Sequence, residues 1–347
     1  MEMGSASLSF AVYDANGKGV VAKARKAEED LLFSRQFGIK CGISGGWRKN
    51  VATAAFFVAR EYFASLGLGQ RYAVELHNSP MFGKPGEKSG LGSSSAATVA
   101  VVKALFASEG LDGNSEVAHK LCQYAYAIYS GKIGSGYDIA CAWLGKGAYY
   151  ERFAPSCIII PEGSEKLGNA LSSTLGAKWD GMKLAEAKVH PKYSVRFFNL
   201  GGGSTSTLGS LKAVIDYKEK DGNEYFRMIH AQDCFERNAI LALERGESGK
   251  LRENVHGARE LHRQLQEKVR NAGGRFDFIE PQPLSELIEF GESLGGVVAG
   301  RCPGAGGYDG LAFIVEEKKL DDGFEGKLEK KAAGLSLKAN GVALRLA

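Results

Sequence analysis

Residues 86–97 read GEKSGLGSSSAA, with three glycines, four serines and a lysine set directly before the apolar run TVAVVKALF. Successive backbone N–H groups in a glycine turn form a concave nest. A helix starting behind it adds unpaired N–H groups and the positive end of its dipole. Serine hydroxyls bring further donors and can ligate a metal, and Lys88 brings charge. The chemistry this suits is holding a phosphate. It is not a P-loop of the G-x-x-x-x-G-K-[ST] kind, because no lysine follows the last glycine. A plain N-cap by Ser93, Ser94 or Ser95 would account for one hydroxyl and leave the glycines without a purpose.

Two more glycine strings carry candidate chemistry. In GKIGSGYDIA, residues 131–140, Asp138 follows a turn and precedes an apolar stretch. Residue chemistry alone favours a helix cap there. A carboxylate in a glycine-lined loop is also what orients or deprotonates an attacking oxygen in phosphoryl transfer. In CPGAGGYDG, residues 302–310, the glycines lie between two apolar strands and read first as a hairpin turn.

The elements that must position these strings follow from periodicity. Leu8, Phe10 and Val12 alternate, Asn16-Gly17 marks a hairpin turn, and GVVAKA returns as a strand. Residues 48–66 carry apolar positions at helical spacing, and Tyr72, Val74 and Leu76 alternate as a strand that leads into the first glycine string. Helices are expected at 94–107 and 115–130. KLAEAKV and SVRFFNL read as strands, and GGGSTST breaks the chain at 201–207. Helices then follow at 207–218, 224–246, 249–272 and 284–294, and the chain closes with strand, glycine turn, strand. Strands and helices mix without strict βαβ alternation, so the class is α+β, with a domain boundary near residue 200.

Composition sets outer limits. The 347 residues are 44% hydrophobic and 24% charged, which is a folded globular chain with a net charge of +4. That excess is too small and too dispersed to argue for nucleic acid, and no apolar run reaches the length of a membrane span. Cys41, Cys122, Cys141, Cys157, Cys234 and Cys302 are scattered, with no CxxC pair. They read as free thiols of a reducing, cytoplasmic setting, and no leader is expected at the amino terminus. The oligomeric state stays open.

The string SGLGSSSAA resembles the second signature of the GHMP kinases, P-x-x-x-G-L-G-S-S-A-A. GKIGSGYD and PGAGGYD resemble the phosphomevalonate kinase branch of that family, and GGGSTST resembles, more weakly, one of its helix-leading segments. The resemblance runs from about residue 72 to 316 in the family's order. It implies the GHMP kinase fold, a ribosomal protein S5 domain 2-like N-terminal half (residues 1–200) and a ferredoxin-like α/β C-terminal half (201–347). It implies ATP and Mg²⁺ as cofactors and (R)-5-phosphomevalonate as the small-molecule acceptor, phosphorylated to the diphosphate. By the same resemblance, ATP is held by Lys88, Gly90, Leu91, Gly92, Ser93, Ser94 and Ser95, with Ser94 also on the metal. Asp138 and Lys132 are the catalytic candidates, and Lys84, Ser135, Gly136, Ala305 and Gly306 the acceptor-binding ones.

Three departures accompany it. Ser95 stands where a small apolar residue is usual. A metal-binding glutamate of the mevalonate kinases would fall in LCQYAYAIYSGKIGSG, which has no carboxylate. The family's first signature, a lysine-bearing strand of the P-G-K-x-x-x-x-G-E-Y kind, has no counterpart ahead of MEMGSASLSFAVYD. A poor catalyst with an exposed sheet edge is therefore expected of these residues. Mevalonate kinase, another kinase of the family, and a nucleotide-binding homologue with impaired catalysis are the other readings.

Overall fold

The computed structural model describes residues 6–9, 20–34, 39–42, 50–78, 92–145, 147–161, 167–200, 207–273, 279–304, 306–337 and 339–344. They form two compact units that divide at Glu186/Ala187. Strand β1 (Ala6–Ser9) comes first in the chain, and its residues 6–8 group with the second unit; the first unit runs β2 (Val20–Ala27), β3 (Leu31–Ser34), β4 (Ile39–Gly42), α1 (Val51–Ser65) and β5 (Arg71–Asn78). It continues with α2 (Ser93–Ser108), α3 (Glu116–Ser130), α4 (Tyr137–Leu144), β6 (Ala148–Glu151), α5 (Leu167–Gly176) and β7 (Lys183–Glu186). The second holds β8 (Tyr193–Asn199), α6 (Thr207–Lys220), α7 (Gly222–Arg245), α8 (Ser248–Asn271) and α9 (Gln282–Glu292). It ends with β9 (Val297–Arg301), β10 (Gly310–Glu316), α10 (Phe324–Gly334) and β11 (Asn340–Leu344).

In the first unit β2, β5, β3 and β4 pair in that order, with β3 parallel to β5 and the other pairs antiparallel. Tyr72, Val74 and Leu76 alternate inward on β5, as their spacing predicts. They pack with α1, which starts in a capping box: Asn50 Oδ1 accepts the Thr53 amide at 2.9 Å, and the Asn50 amide donates to Thr53 Oγ1 at 3.2 Å. Val51, Ala55, Phe56, Ala59 and Phe63 bury α1 against α2 and α3. The rings of Phe63, Tyr72 and Phe106 meet edge-on or tilted at 5.2–5.8 Å. Helix α2 is therefore a core element, and its first turn sits on a rigid base.

The second unit is an antiparallel sheet ordered β11-β8-β10-β9, with β8 paired on both sides. That pairing is why β8 belongs to this unit and the division falls ahead of it. Phe198, Phe313 and Phe324 form a mutually edge-on cluster in its core. The Asn16-Gly17 turn and most of GGGSTST lie outside the described residues. Strands β3, β4, β6 and β11 and helices α5 and α10 are additional to the sequence expectation.

Candidate active site

Helices α2 and α4 begin in the same way, one that α10 shares at Gly323. The residue before α2 is Gly92 (φ 67°, ψ 32°) and that before α4 is Gly136 (φ 77°, ψ 0°). Both are left-handed, a conformation that favours glycine, and neither helix start has a side-chain cap. Neither of the caps that residue type offers forms: no serine of 93–95 caps α2, and Asp138 lies inside the first turn of α4. The sequence invites caps by residue type, but the left-handed glycines start each helix earlier. Among the described residues, side chains leave the first-turn amides of α2 unclaimed, where the helix dipole also favours an anion, while at α4 the Ile139 amide is taken by Asp138 itself.

The two starts adjoin. A Cβ at Gly92 would meet, among the described residues other than its chain neighbours, nothing nearer than Asp138 Cβ at 3.9 Å, so it would stand beside that carboxylate. Gly136 is fixed differently. Its carbonyl accepts from Gln123 Nε2 of α3 at 3.0 Å, and a Cβ there would lie 2.6 Å from Gln123 Oε1 and 2.9 Å from the Tyr150 hydroxyl. The GKIGSGYD string is the connection from α3, closed at left-handed Gly131, to α4.

Asp138 is half-buried. Its Oδ2 accepts a hydrogen bond from Ser95 Oγ of α2, and its Oδ1 accepts the Ile139 amide at 3.0 Å. Burial pushes the carboxyl above the ordinary aspartate range, against the pull of Ser95 and the Ile139 amide. No ion pair to Asp138 is formed among the described residues. Its neighbours are phenols: Tyr126, whose pKa burial and the Asp138 charge push up to about 12, and Tyr150, raised chiefly by burial. The Tyr150 hydroxyl is buried with no hydrogen-bond partner.

Among the expected site residues, the first unit thus brings together Gly92, Ser93, Ser94, Ser95, Gly136 and Asp138. Ser135 and Lys132 are exposed on the α3–α4 connection, where the Lys132 carbonyl accepts from Ser130 Oγ at 2.8 Å. Gly306 is in the second unit, at φ 78°, ψ −158°, where a Cβ would come within 2.2 Å of the Ile279 carbonyl oxygen. The Gly307 amide donates to that same oxygen at 2.8 Å. Lys84, Lys88, Gly90, Leu91 and Ala305 lie outside the described residues. Gln123, Tyr126 and Tyr150 escaped the sequence reading. The first two sit in LCQYAYAIYS, a stretch read only for a carboxylate.

No group of three or more His, Cys, Asp or Glu side chains able to hold a metal occurs among the described residues. Mg²⁺ asks for less, since it takes one or two carboxylates and completes its shell with phosphates and water. Asp138 beside the Ser94 turn fits that sparse requirement. None of Cys122, Cys141, Cys157, Cys234 and Cys302 is in a disulfide, and no helix among the described residues is long and apolar enough to cross a membrane.

The family model for the GHMP kinases N terminal domain matches residues 50–146, the segment from α1 through α4. The chain is similar to the phosphomevalonate kinase ERG8 of Gibberella zeae, 31% identical over 273 residues, covering 74% of this chain and 60% of that protein. It is also similar to the peroxisomal phosphomevalonate kinase of Arabidopsis thaliana, 26% identical over 279 residues, covering 66% and 55%. The chain therefore spans less than two thirds of the length of these relatives. Its fold is that of the Streptococcus pneumoniae phosphomevalonate kinase solved with phosphomevalonate and AMPPNP. That match has a TM-score of 0.70 at 19% identity and covers 98% of this chain and 99% of that one.

Proposed function

Because this chain belongs to the GHMP kinases, we propose that it transfers the γ-phosphoryl group of ATP to the phosphate of (R)-5-phosphomevalonate, giving the 5-diphosphate and ADP. The observation that carries the proposal is the adjoining starts of α2 and α4 on left-handed Gly92 and Gly136, with Asp138 in the first turn of α4 and no ion pair to it among the described residues. Similarity to phosphomevalonate kinases on both fold and sequence supports the choice of acceptor. So does α3, which presents Gln123 and no carboxylate in the stretch where a mevalonate kinase glutamate would fall.

Gly90, Leu91, Gly92, Ser93 and Ser94, with Lys88, hold the nucleotide phosphates. Helix α2 contributes its unclaimed amides and dipole. Ser94 and Asp138 would hold Mg²⁺, which would supply positive charge against the phosphates. The acceptor oxygen belongs to a phosphate already ionised near neutrality. Asp138 therefore works by orientation more than by removing a proton, which is how most of the barrier to phosphoryl transfer is lowered. Lys132, Lys84, Ser135, Gly136, Ala305 and Gly306 serve the acceptor, the lysines by offsetting its charge. Five cysteines outside any disulfide suit a reducing compartment such as the cytoplasm.

ADP release coupled to a spectroscopic readout, with mevalonate, phosphomevalonate and diphosphomevalonate compared at equal concentration, tests this. Turnover should appear with phosphomevalonate. Equal or faster turnover with mevalonate would overturn the acceptor assignment, and nucleotide binding without turnover on any of the three would overturn the activity.

A further inference from the structure

Ser95 is the third hydroxyl of a turn for which two would suffice, and it stands where the family resemblance expects a small apolar residue. It is 1% exposed, on the face of α2 turned into the protein. Its hydroxyl proton is committed, since Oγ donates to Asp138 Oδ2 across 43 positions of sequence. A serine has one donor, so this hydroxyl has none left for a phosphate. The Tyr126 phenol of α3 lies against the same Ser95 hydroxyl and in the field of Asp138.

We propose that Ser95, backed by Tyr126, is a positioning residue for Asp138 rather than a nucleotide ligand. It ties the carboxylate on α4 to the helix that begins the nucleotide turn. The proposal rests on the reading of Asp138 given above and deepens it. With Oδ2 held from α2 and Oδ1 held by the Ile139 amide, the carboxylate plane is fixed from two helices at once. A carboxylate that acts by orientation needs that restraint.

The surroundings make Ser95 matter for charge as well. Facing Asp138 are Tyr126 from α3 and Tyr150 from β6, and the nearby cation Arg152 bears on Tyr150. From α2 the facing group is Ser95 itself. Ser95 is therefore the one side-chain donor to the carboxylate among the described residues, and its hydrogen bond favours the ionised form.

Ser95→Ala is the direct test, with Tyr126→Phe as the milder one. The expected result for Ser95→Ala is a fall in kcat of about tenfold or more, as for other hydrogen bonds to a charged group. The KM for ATP should change less than threefold, and the acid limb of the kcat profile should move to higher pH. Tyr126→Phe should move that limb the same way by less. Ser95→Cys keeps the size with a weaker donor and should fall between alanine and wild type, which separates lost donation from lost packing. A readout independent of turnover is the infrared carbonyl band of protonated Asp138, identified by its loss in Asp138→Asn. In Ser95→Ala that band should persist to higher pH. A tenfold weaker binding of AMPPNP with an unmoved carbonyl titration would overturn the proposal and make Ser95 a nucleotide ligand. Unchanged titration and unchanged kinetics would overturn it outright. If no acceptor is phosphorylated, the infrared titration and AMPPNP binding still decide the role of Ser95.

Discussion

Glu280 and Asp138 are both carboxylates largely withdrawn from water, one in each unit. Glu280, with a side chain 4% exposed, receives Arg259 Nη2 at 2.7 Å and Nε at 3.0 Å in a fork, and Ser285 Oγ at 2.8 Å. Its own amide donates to Gln266 Oε1 at 3.3 Å. Burial alone would push its carboxyl up, but the Arg259 bonds and charge, with Ser285 and Arg263, hold it below the ordinary range. Asp138 has a serine and a backbone amide instead, and burial wins. A buried carboxylate with a guanidinium fork is finished as structure. One left with neutral donors keeps capacity for a cation or a ligand, and such perturbed groups concentrate at functional sites. The Glu280 cluster still has a use nearby, since it anchors the segment whose Ile279 carbonyl receives the Gly307 amide.

The largest effect that would test this contrast is on stability. Arg259→Leu strands Glu280 without its main partner and should cost about 3–5 kcal/mol in chemical unfolding. A loss under about 1 kcal/mol would remove the distinction between the two carboxylates.

Next comes Asp138→Asn, which should lower kcat by about 10² or more, or about 2.7 kcal/mol of barrier, while AMPPNP binding holds. Its melting temperature should stay level or rise, because an amide is easier to bury than a carboxylate that forms no ion pair among the described residues. Near-normal turnover would reduce Asp138 to a structural residue of the first turn.

A subtler pair of measurements uses pH. The folded pKa of Asp138 lies above its unfolded value. Its contribution to stability is complete below the ordinary carboxylate pKa and is lost as pH rises through the raised one. Glu280 runs the other way, complete above the ordinary value and lost as pH falls through the lowered one. Asp138→Asn should therefore gain on wild type as pH rises above the ordinary aspartate value, until the raised pKa is passed, by about 1.4 kcal/mol for each unit of displacement. Glu280→Gln should instead fall behind wild type as pH rises toward the ordinary carboxylate value, and keep a constant deficit above it. Parallel curves for the two variants would contradict the opposite environments.

The smallest expected change is Lys132→Ala. An exposed lysine interacting with an anionic acceptor through solvent contributes about 0.2–1 kcal/mol, so kcat/KM should fall no more than about fivefold, and less at high salt. A hundredfold loss would move Lys132 into the reacting centre beside Asp138.

What the sequence discloses about this site is its local part. The glycines at 92 and 136 are legible because a left-handed turn before an apolar period leaves a compositional mark, and β5, α2 and α3 are legible because their spacing repeats. The Ser95–Asp138 bond and the Gln123 grip on Gly136 join residues on different helices, and nothing in either string alone points to its partner. Asp138 as a cap was a fair reading of residue type, but backbone geometry at Gly136 decided otherwise. Strands β3, β4 and β6 are four residues each, too short for alternation to stand out. The fork between Arg259 and Glu280 links a helix face to a loop 21 positions away, which periodicity does not encode.

Helices α2 and α4 also bear on how long the protein survives. A glycine at the cap gives up only a few tenths of a kcal/mol against a side-chain cap, so starting on Gly92 and Gly136 costs these helices little and leaves the α2 amides open to a phosphate. An anion bound there adds RT ln(1 + [L]/Kd) to the native state alone. Wherever phosphate ligands run low, the native state gives up that increment, and opened molecules become more available to proteases. The supply of substrate would then govern the amount of enzyme as well as its rate, through the folding equilibrium and with no regulator involved.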